Sequence, residues 1–169
     1  MAYFVDLFSP ETYEAFRHSS REVSGFRLRQ KTIAARINAG DVFVCYMARL
    51  SRWFGILEVI NGPYIDDGPI FMPEGDPFVV RFRVRPLIVL DPEKSIPIHD
   101  REIWEALSFT RRLAQDSLAW TGKVRNSLVH LDDDDGRFLA AKISAQSENG
   151  KTYPLELRYP LHLRAWKLH

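Results

Sequence analysis

The sequence has few of the features that mark a secreted or membrane-spanning protein. It contains one cysteine, Cys45, so an internal disulfide is excluded. No apolar run approaches the roughly 18 residues that a membrane-spanning helix needs. The start of the chain also lacks the basic, apolar and small-residue regions of a secretion signal. These absences predict a cytoplasmic protein with no membrane partner, in which Cys45 is a small core residue.

The charge is nearly balanced, with 23 Lys and Arg against 22 Asp and Glu and a net charge of +1. A protein of this kind does not bind a polyanion through its bulk charge, so any nucleic-acid contact has to come from a local patch. Such a patch lies between Arg21 and Arg36, where five basic residues and one acidic residue give a local charge of +4.

Residue patterns that carry catalysis are missing. The five histidines have no chelate or helical spacing, and there is no serine elbow, phosphate-binding glycine loop or Walker lysine. The acidic run at 132–135 lacks the alternate spacing of a calcium loop and is interpreted as a solvated turn. The sequence therefore predicts a binding module, not an enzyme, with no cofactor and no metal.

The stretch 40–62 indicates the centre of the fold. Val42 to Met47 is an uninterrupted apolar and aromatic run, which predicts a strand buried on both faces, and 54–60 predicts its hairpin partner. Between them, 49–53 reads as a polar loop that carries Arg49, Arg52 and Trp53. An indole is costly to expose in a loop, so Trp53 is predicted to cover either a ligand or the end of the core.

Other segments give simpler predictions. Residues 3–8 alternate like a strand, and Ser9 followed by Pro10 predicts the start of a short helix that ends near His18. Further predictions are a short helix at 32–37, a strand at 78–90, a helix at 101–114 capped by Asp100, and two strands at 138–143 and 153–157 that are joined around Asn149 and Gly150.

Four segments occur in an order and spacing that resemble the EVE domain family: DLFSPET at 6–12, VSGFR at 23–27, INAGDVFVCY at 37–46 and WFGILEV at 53–59. That family belongs to the PUA-like superfamily and is akin to the YTH readers of methylated RNA. The similarity extends over 1–90 and more loosely over 91–169. It implies that residues 1–169 form one α+β domain, a PUA-like small curved β-barrel flanked by short helices.

Members of the family take a modified base into an aromatic-lined pocket. The resemblance implies a pocket here that is formed by Phe8, Ser9, Ser24, Phe26, Tyr46 and Trp53. Stacking on a flipped base is worth about 1–3 kcal/mol per base, and nearby basic groups would hold the backbone. The basic residues in this role are Arg27, Arg29, Lys31 and Arg52. Each of the aromatic residues also has an ordinary alternative role in the core.

These observations predict a non-enzymatic reader of a modified, methylated base in DNA, with a fused or associated effector nuclease among its candidate partners. Two alternatives stay open: a PUA-like module that acts on modified RNA, and a small-ligand or protein-interaction domain without a nucleic-acid role. The salt dependence of binding separates the last alternative from the others, because phosphate contacts weaken steeply as salt rises.

Overall fold

A computed structural model of the chain describes residues 1–155, in which seven strands and four α-helices occur. The strands are β1 (Tyr3–Phe8), β2 (Val23–Phe26), β3 (Val42–Met47), β4 (Arg52–Ile65), β5 (Val80–Val89), β6 (Ile96–Pro97) and β7 (His130–Leu131). The helices are α1 (Pro10–His18), α2 (Lys31–Ala34), α3 (Arg101–Ala106) and α4 (Asp133–Asn149). Within this range no helix is long and apolar enough to cross a membrane.

All seven strands belong to one sheet with the order β2-β5-β4-β3-β1-β7, and β6 pairs with β4. β1 runs parallel to β3, with Tyr3 opposite Val42 and Phe8 opposite Met47, whereas the other pairs are antiparallel. The predicted α+β class is confirmed. Among the described residues the sheet ends at β2 and β7 and is open, where the sequence had predicted a small barrel.

The start of the chain folds as its sequence predicts. β1 covers 3–8, and Ser9 caps α1 by accepting a hydrogen bond from the Thr12 backbone N–H at 3.1 Å. The Thr12 side chain accepts from the Ser9 backbone N–H at 2.9 Å, which completes a reciprocal capping box. α1 therefore starts directly after β1, and the two elements share one corner of the molecule.

β3 is buried along its whole length, as its apolar sequence predicts, and Cys45 lies inside it. Its Phe43 forms an edge-to-face cluster with Phe26 of β2 and Phe82 of β5, with ring centroids 5.3 to 5.9 Å apart. Aromatic pairs in this geometry stabilise a core beyond the burial of their area. The cluster joins strands from different parts of the sheet and fixes the ends of β2 and β3.

The prediction of a loop at 49–53 is wrong for residues 52 and 53, because β4 already begins at Arg52. Trp53 pairs with Tyr46 of β3 and with Ile96 of β6, and its side chain is completely buried. The indole Nε1 finds no hydrogen-bond acceptor among residues 1–155. The apolar signal of this segment therefore belongs to the sheet, and the hairpin turn that remains is shorter than predicted.

The largest difference from the sequence prediction is α4, which replaces the turn predicted at 132–135 and the strand predicted at 138–143. The three acidic residues of its first turn stabilise the positive end of the helix dipole. Leu139 and Ile143, one turn apart, are both fully buried. Residues 153–155 have no regular structure, and the rest of the second predicted strand lies outside the described residues.

Two other helices differ in length from their predictions. α2 covers Lys31–Ala34, so it begins one residue before the predicted helix at 32–37 and ends three residues before it does. α3 ends at Ala106, although its sequence pattern predicted a helix to 114. Asp100 caps α3 as predicted, by accepting a hydrogen bond from the Glu102 backbone N–H at 3.1 Å. Trp104 of α3 is buried, in agreement with its predicted packing role.

Candidate nucleic-acid interface

A cleft of about 290 Å³ opens where β1 and β2 end. Its walls come from five parts of the chain, which are the β1–α1 corner, the segment after β2, the β3–β4 turn, the loop before β5 and residues 125–127. The aromatic and basic residues of its lining are Phe8, Phe26, Arg27, Arg29, Arg49, Phe78 and Arg125.

Aromatic side chains form the base of the cleft. Phe26 and Phe8 are nearly buried, and Phe8 packs edge-to-face against Phe16 at 5.6 Å and Phe54 at 5.2 Å between centroids. Phe78 is half-buried, and the Arg27 guanidinium carbon lies 5.0 Å from its ring centroid. A cation at this distance interacts favourably with the ring face. The cleft thus has a rigid aromatic floor and one wall in which a ring and a cation are already stacked.

Four arginines line the cleft: Arg27, Arg29, Arg49 and Arg125. Arg49 Nη1 donates to both carboxylate oxygens of Glu11, at 2.8 and 3.0 Å. Burial opposes ionisation of Glu11, but hydrogen bonds from its own backbone N–H and from Arg49 outweigh burial and hold its pKa below the usual value. The local positive charge is therefore concentrated around an aromatic surface in a protein that is nearly neutral overall.

The loop 66–79, which carries Met72 and Phe78, is held by the Asp76 carboxylate. Oδ2 accepts hydrogen bonds from the backbone N–H groups of residues 70 and 71 at 2.9 and 2.8 Å, and Oδ1 accepts one from Phe78 at 2.9 Å. Arg81 of β5 is 2% exposed and lies 3.4 Å from the same carboxylate. Its guanidinium also donates to the Phe78 carbonyl at 3.0 Å and to the Gly68 carbonyl.

The arginines of β5 therefore have different roles, although the sequence places Arg81, Arg83 and Arg85 at alternate positions of one strand. Arg83 and Arg85 are exposed: Arg83 lies 3.7 Å from Glu22, and Arg85 lies 2.5 Å from Glu58. Arg81 is buried and supports the loop instead. Of these three arginines, Arg83 and Arg85 thus form ion pairs at the surface, and Arg81 forms a buried one that holds the loop.

Below the cleft, a void of about 10 Å³ lies between Asp6, Phe8, Gly25, Phe71 and Phe78. Asp6 is buried in β1, and its Oδ2 accepts a hydrogen bond from the Ser24 hydroxyl at 2.5 Å. Burial raises the pKa of Asp6 to about 8, and the Ser24 hydrogen bond lowers it by less. At neutral pH this carboxyl group is therefore mostly a neutral acid.

The structure brings part of the predicted pocket together. Phe8, Ser9 and Phe26 line the cleft, as do Arg27 and Arg29 from the predicted phosphate-binding set. Ser24 is buried beneath them through its bond to Asp6. Lys31 is exposed on α2 but is not part of the cleft lining.

Trp53 and Arg52 are buried and do not line the cleft. Trp53 is 0% exposed and packs 4.8 Å from the ring of Tyr46, so it offers no free face for a base in this structure. Arg52 is buried and its guanidinium donates to the backbone carbonyls of Pro92, Tyr153 and Pro154 at 3.1, 2.9 and 2.7 Å. The predicted phosphate contact of Arg52 is corrected, because its donors bind the chain's own backbone.

Tyr46 lines a second groove of about 290 Å³ beside the cleft, together with Trp120, Thr121 and Val124. Arg49 and Arg125 belong to the lining of both the groove and the cleft. Burial raises the pKa of Tyr46 to about 12, although a hydrogen bond with Ser51 lowers it. The two openings are therefore neighbours that share two cationic side chains.

Several lining residues gave no usable signal in the sequence. Arg125 to Ser127 reach the cleft because residues 127–131 pair with β1: Ser127 Oγ accepts from the Leu7 backbone N–H at 3.0 Å, and Leu128 N–H donates to the Val5 carbonyl at 2.7 Å. Phe78 looked like the first residue of a strand. The acid Asp6 was hidden in the alternating pattern of β1.

The described residues contain no group of three or more histidine, cysteine or acidic side chains placed to hold a metal ion. The residues that line the cleft and the void offer stacking on aromatic rings, hydrogen bonding through Asp6, Ser9 and Thr12, and positive charge from the arginines. This combination suits a planar, partly polar ligand that is attached to an anionic chain.

No protein-family model and no curated protein matches the sequence. Among solved structures, the Pho92 YTH domain in complex with m6A is similar over 91% of this chain and 88% of its own, with 14% identity and a TM-score of 0.60. The Mmi1 YTH domain in complex with RNA is similar over 91% and 84%, with 16% identity and a TM-score of 0.60.

Human THYN1 in complex with DNA that contains 5-methylcytosine is similar over 84% of this chain and 98% of its own, with 14% identity and a TM-score of 0.54. At these identities the likeness concerns the fold and leaves the EVE resemblance of the sequence as a prediction. The chain has the α+β fold that YTH domains and THYN1 share.

Proposed function

We propose that this protein is a reader of a modified base in a nucleic acid and that the cleft holds the base. The observation that carries the proposal is the half-buried ring of Phe78 in the wall of a cleft that has Phe8 and Phe26 at its base and is lined by four arginines. A single aromatic cleft would suit many ligands, and a basic patch alone would suit many polyanions. Their coincidence in one cleft of about 290 Å³ favours a base presented by its own phosphate chain.

The structural neighbours support the same function. The solved complexes of Pho92 and Mmi1 contain m6A and RNA, and that of THYN1 contains DNA with 5-methylcytosine. Proteins of this fold thus occur in complexes with m6A, with RNA and with DNA that contains 5-methylcytosine. We retain DNA as the proposed target and modified RNA as the alternative, with binding and not catalysis as the activity.

The test is a comparison of affinities at one fixed salt concentration. Matched oligonucleotides with one central 5-methylcytosine, one N6-methyladenine or no modification are prepared as single-stranded DNA, duplex DNA and RNA, and dissociation constants are measured by fluorescence anisotropy. A methyl group adds about 0.8 kcal/mol by burial, so a several-fold preference for one modified strand is expected. Equal affinity for every strand would contradict the proposal.

Two phenylalanines provide a matched pair of variants. Phe78 is half-buried in the cleft wall beneath Arg27, whereas Phe138 is half-buried on α4 with Lys142 5.9 Å from its ring and is not part of the cleft lining. Phe78→Ala should weaken binding by about 1–3 kcal/mol, the value of one stacking contact. Phe138→Ala should leave affinity unchanged, which separates stacking from a general loss of stability.

A further inference from the structure

The buried acid Asp6 faces the void below the cleft with one of its two oxygens uncommitted. Oδ2 accepts the Ser24 hydroxyl proton, and Oδ1 takes part in no hydrogen bond with residues 1–155. Here the void that Asp6 lines continues into the cleft walls, because Phe8, Gly25 and Phe78 border both.

The size of the void limits what can reach Asp6. About 10 Å³ is close to the space of one water-sized group and far below that of a whole base. Thr12 and Leu7 also border both spaces, so the void is the innermost corner of the cleft and not a separate cavity. A base in the cleft would therefore present a single edge atom to Asp6, such as a carbonyl oxygen or a ring nitrogen.

We propose, on the basis of the function proposed above, that Asp6 is a specificity-determining residue whose neutral carboxyl group donates a hydrogen bond from Oδ1 to an acceptor atom on the edge of the bound base. Ser24 fixes the direction of this bond, because its hydroxyl proton occupies Oδ2 and leaves the carboxyl proton to Oδ1. Ser24, which the resemblance to the EVE family places in the base pocket, is then a positioning residue. A base whose facing edge carries only donors or methyl groups would leave the acid unpaired.

Asp6 is the group expected to titrate between pH 7 and 9, because the groups near it keep one protonation state over this range. From β3, Cys45 is a buried thiol, and burial followed by the charge of Asp6 raises its pKa well above the usual value. From α1, Glu11 has a lowered pKa and stays ionised. Phe71, Phe78, Ser24 and Thr12 do not titrate in this range, and guanidinium groups on the cleft wall do not deprotonate in proteins.

The experiment measures affinity against pH. Single-stranded DNA carrying one 5-methylcytosine or one N6-methyladenine is titrated at pH 7 and pH 9 with the wild type and with Asp6→Asn, whose amide is neutral and keeps a donor at both pH values. Because the pKa of the free Asp6 is about 8, wild-type affinity should fall about tenfold at pH 9. Asp6→Asn should bind equally well at both pH values, and Asp6→Leu should bind poorly at both.

A second measurement does not depend on any variant folding. The carboxyl carbon of Asp6 in the wild type is followed by NMR during a pH titration with and without the preferred oligonucleotide. If the acid donates to the base, binding favours the protonated form and the pKa of Asp6 must rise; a fall, or no change, overturns the assignment.

Modified-base binding with the same pH response in the wild type and Asp6→Asn would overturn the role of Asp6 and leave the proposed function intact. A lack of preference for any modified strand at pH 7 would overturn the proposed function, and the role of Asp6 with it.

Discussion

Gly25 determines how closely the wall of the cleft can approach its floor. It lies in β2 next to Phe26, opposite Arg81 of β5, and borders both the cleft and the void. A Cβ atom placed on it would lie 2.8 Å from the Phe71 ring and 2.8 Å from the Phe78 carbonyl oxygen. These distances are shorter than real contacts, and one of the two atoms belongs to the backbone, so the wall would have to move.

Gly25→Ala should therefore destabilise the protein by about 1–3 kcal/mol and displace the loop 66–79. Urea unfolding measures the first effect, and hydrogen exchange of the loop measures the second. Gly122→Ala is the matched control, because no atom lies within 4 Å of a Cβ at that position. Equal stability of the two variants would contradict the close approach.

Asp6 also gives the stability of the protein a defined pH dependence. Its pKa is raised from 3.8 to about 8 on folding, so the folded state holds a proton that the unfolded chain releases. The contribution of Asp6 to the free energy of unfolding is therefore present in full below pH 3.8. It falls by about 1.4 kcal/mol per pH unit as the pH rises from 3.8 toward 8.

Asp6→Asn removes this titration, so it should be more stable than the wild type at pH 8, and the difference should shrink toward pH 4. Urea unfolding of both proteins at intervals between pH 4 and 8 measures the difference. A difference that stays constant over this range would show that Asp6 is ionised in the folded protein.

At the scale of elements, the loop 66–79 is ordered by one buried carboxylate and not by a core of its own. Asp76 Oδ2 and Oδ1 together accept four backbone N–H groups, those of residues 70, 71, 72 and 78, and face the buried Arg81. Removal of one partner of a buried ion pair leaves the other uncompensated, which costs more than the pair contributes.

Asp76→Ala should thus cost about 3–5 kcal/mol and release the loop that carries Phe78. The expected readouts are a lower urea midpoint, faster hydrogen exchange over 66–79 and weaker oligonucleotide binding. Asp67→Ala is the control, since Asp67 is an exposed acid of the same loop. If both variants retained the loop's exchange protection, the carboxylate would not be what orders it.

Elements with strong local signals were predictable from the sequence, and α4 shows why others were not. β1, the cap of α1 and β3 depend on alternation, capping chemistry and an apolar run, all of which are visible within a few residues. In α4 the acidic run suggested a turn and Asn149-Gly150 suggested a hairpin, yet the acids form its first turn and Gly150 follows its last residue. The same residues favour helix ends as well as turns, and packing of Leu139 and Ile143 decided between them.

At the scale of the whole molecule, five of the ten predicted site residues line the cleft, and the walls that were not predicted depend on long-range pairing. Phe8, Ser9, Phe26 and Arg27 lie in the segments that resemble the EVE family, Arg29 follows two residues after one of these segments, and all five line the cleft. Phe78 and Arg125 are some 50 and 100 residues farther along the chain and arrive through β5 and through the pairing of 127–131 with β1. The prediction that Trp53 lies in the loop was wrong, because an aromatic residue beside a hairpin turn has the same local sequence pattern whether it lies in the strand or in a loop that covers a ligand.

The last prediction concerns charge: the molecule carries a net charge of only +1, yet four arginines from three parts of the chain line one cleft. If binding comes from that local group and not from bulk charge, each phosphate contact adds a slope of about −0.9 in log K against log salt for duplex DNA, or about −0.7 for a single strand.

Arg29→Gln and Arg125→Gln should each reduce the slope by about one contact, and the double variant by about two. Arg101→Gln, on the exposed start of α3 and paired with Glu105, changes the net charge equally and should leave the slope unchanged. Anisotropy titrations at four salt concentrations distinguish the cases. A slope that falls equally in all three single variants would mean that the whole surface, and not the cleft, attracts the strand.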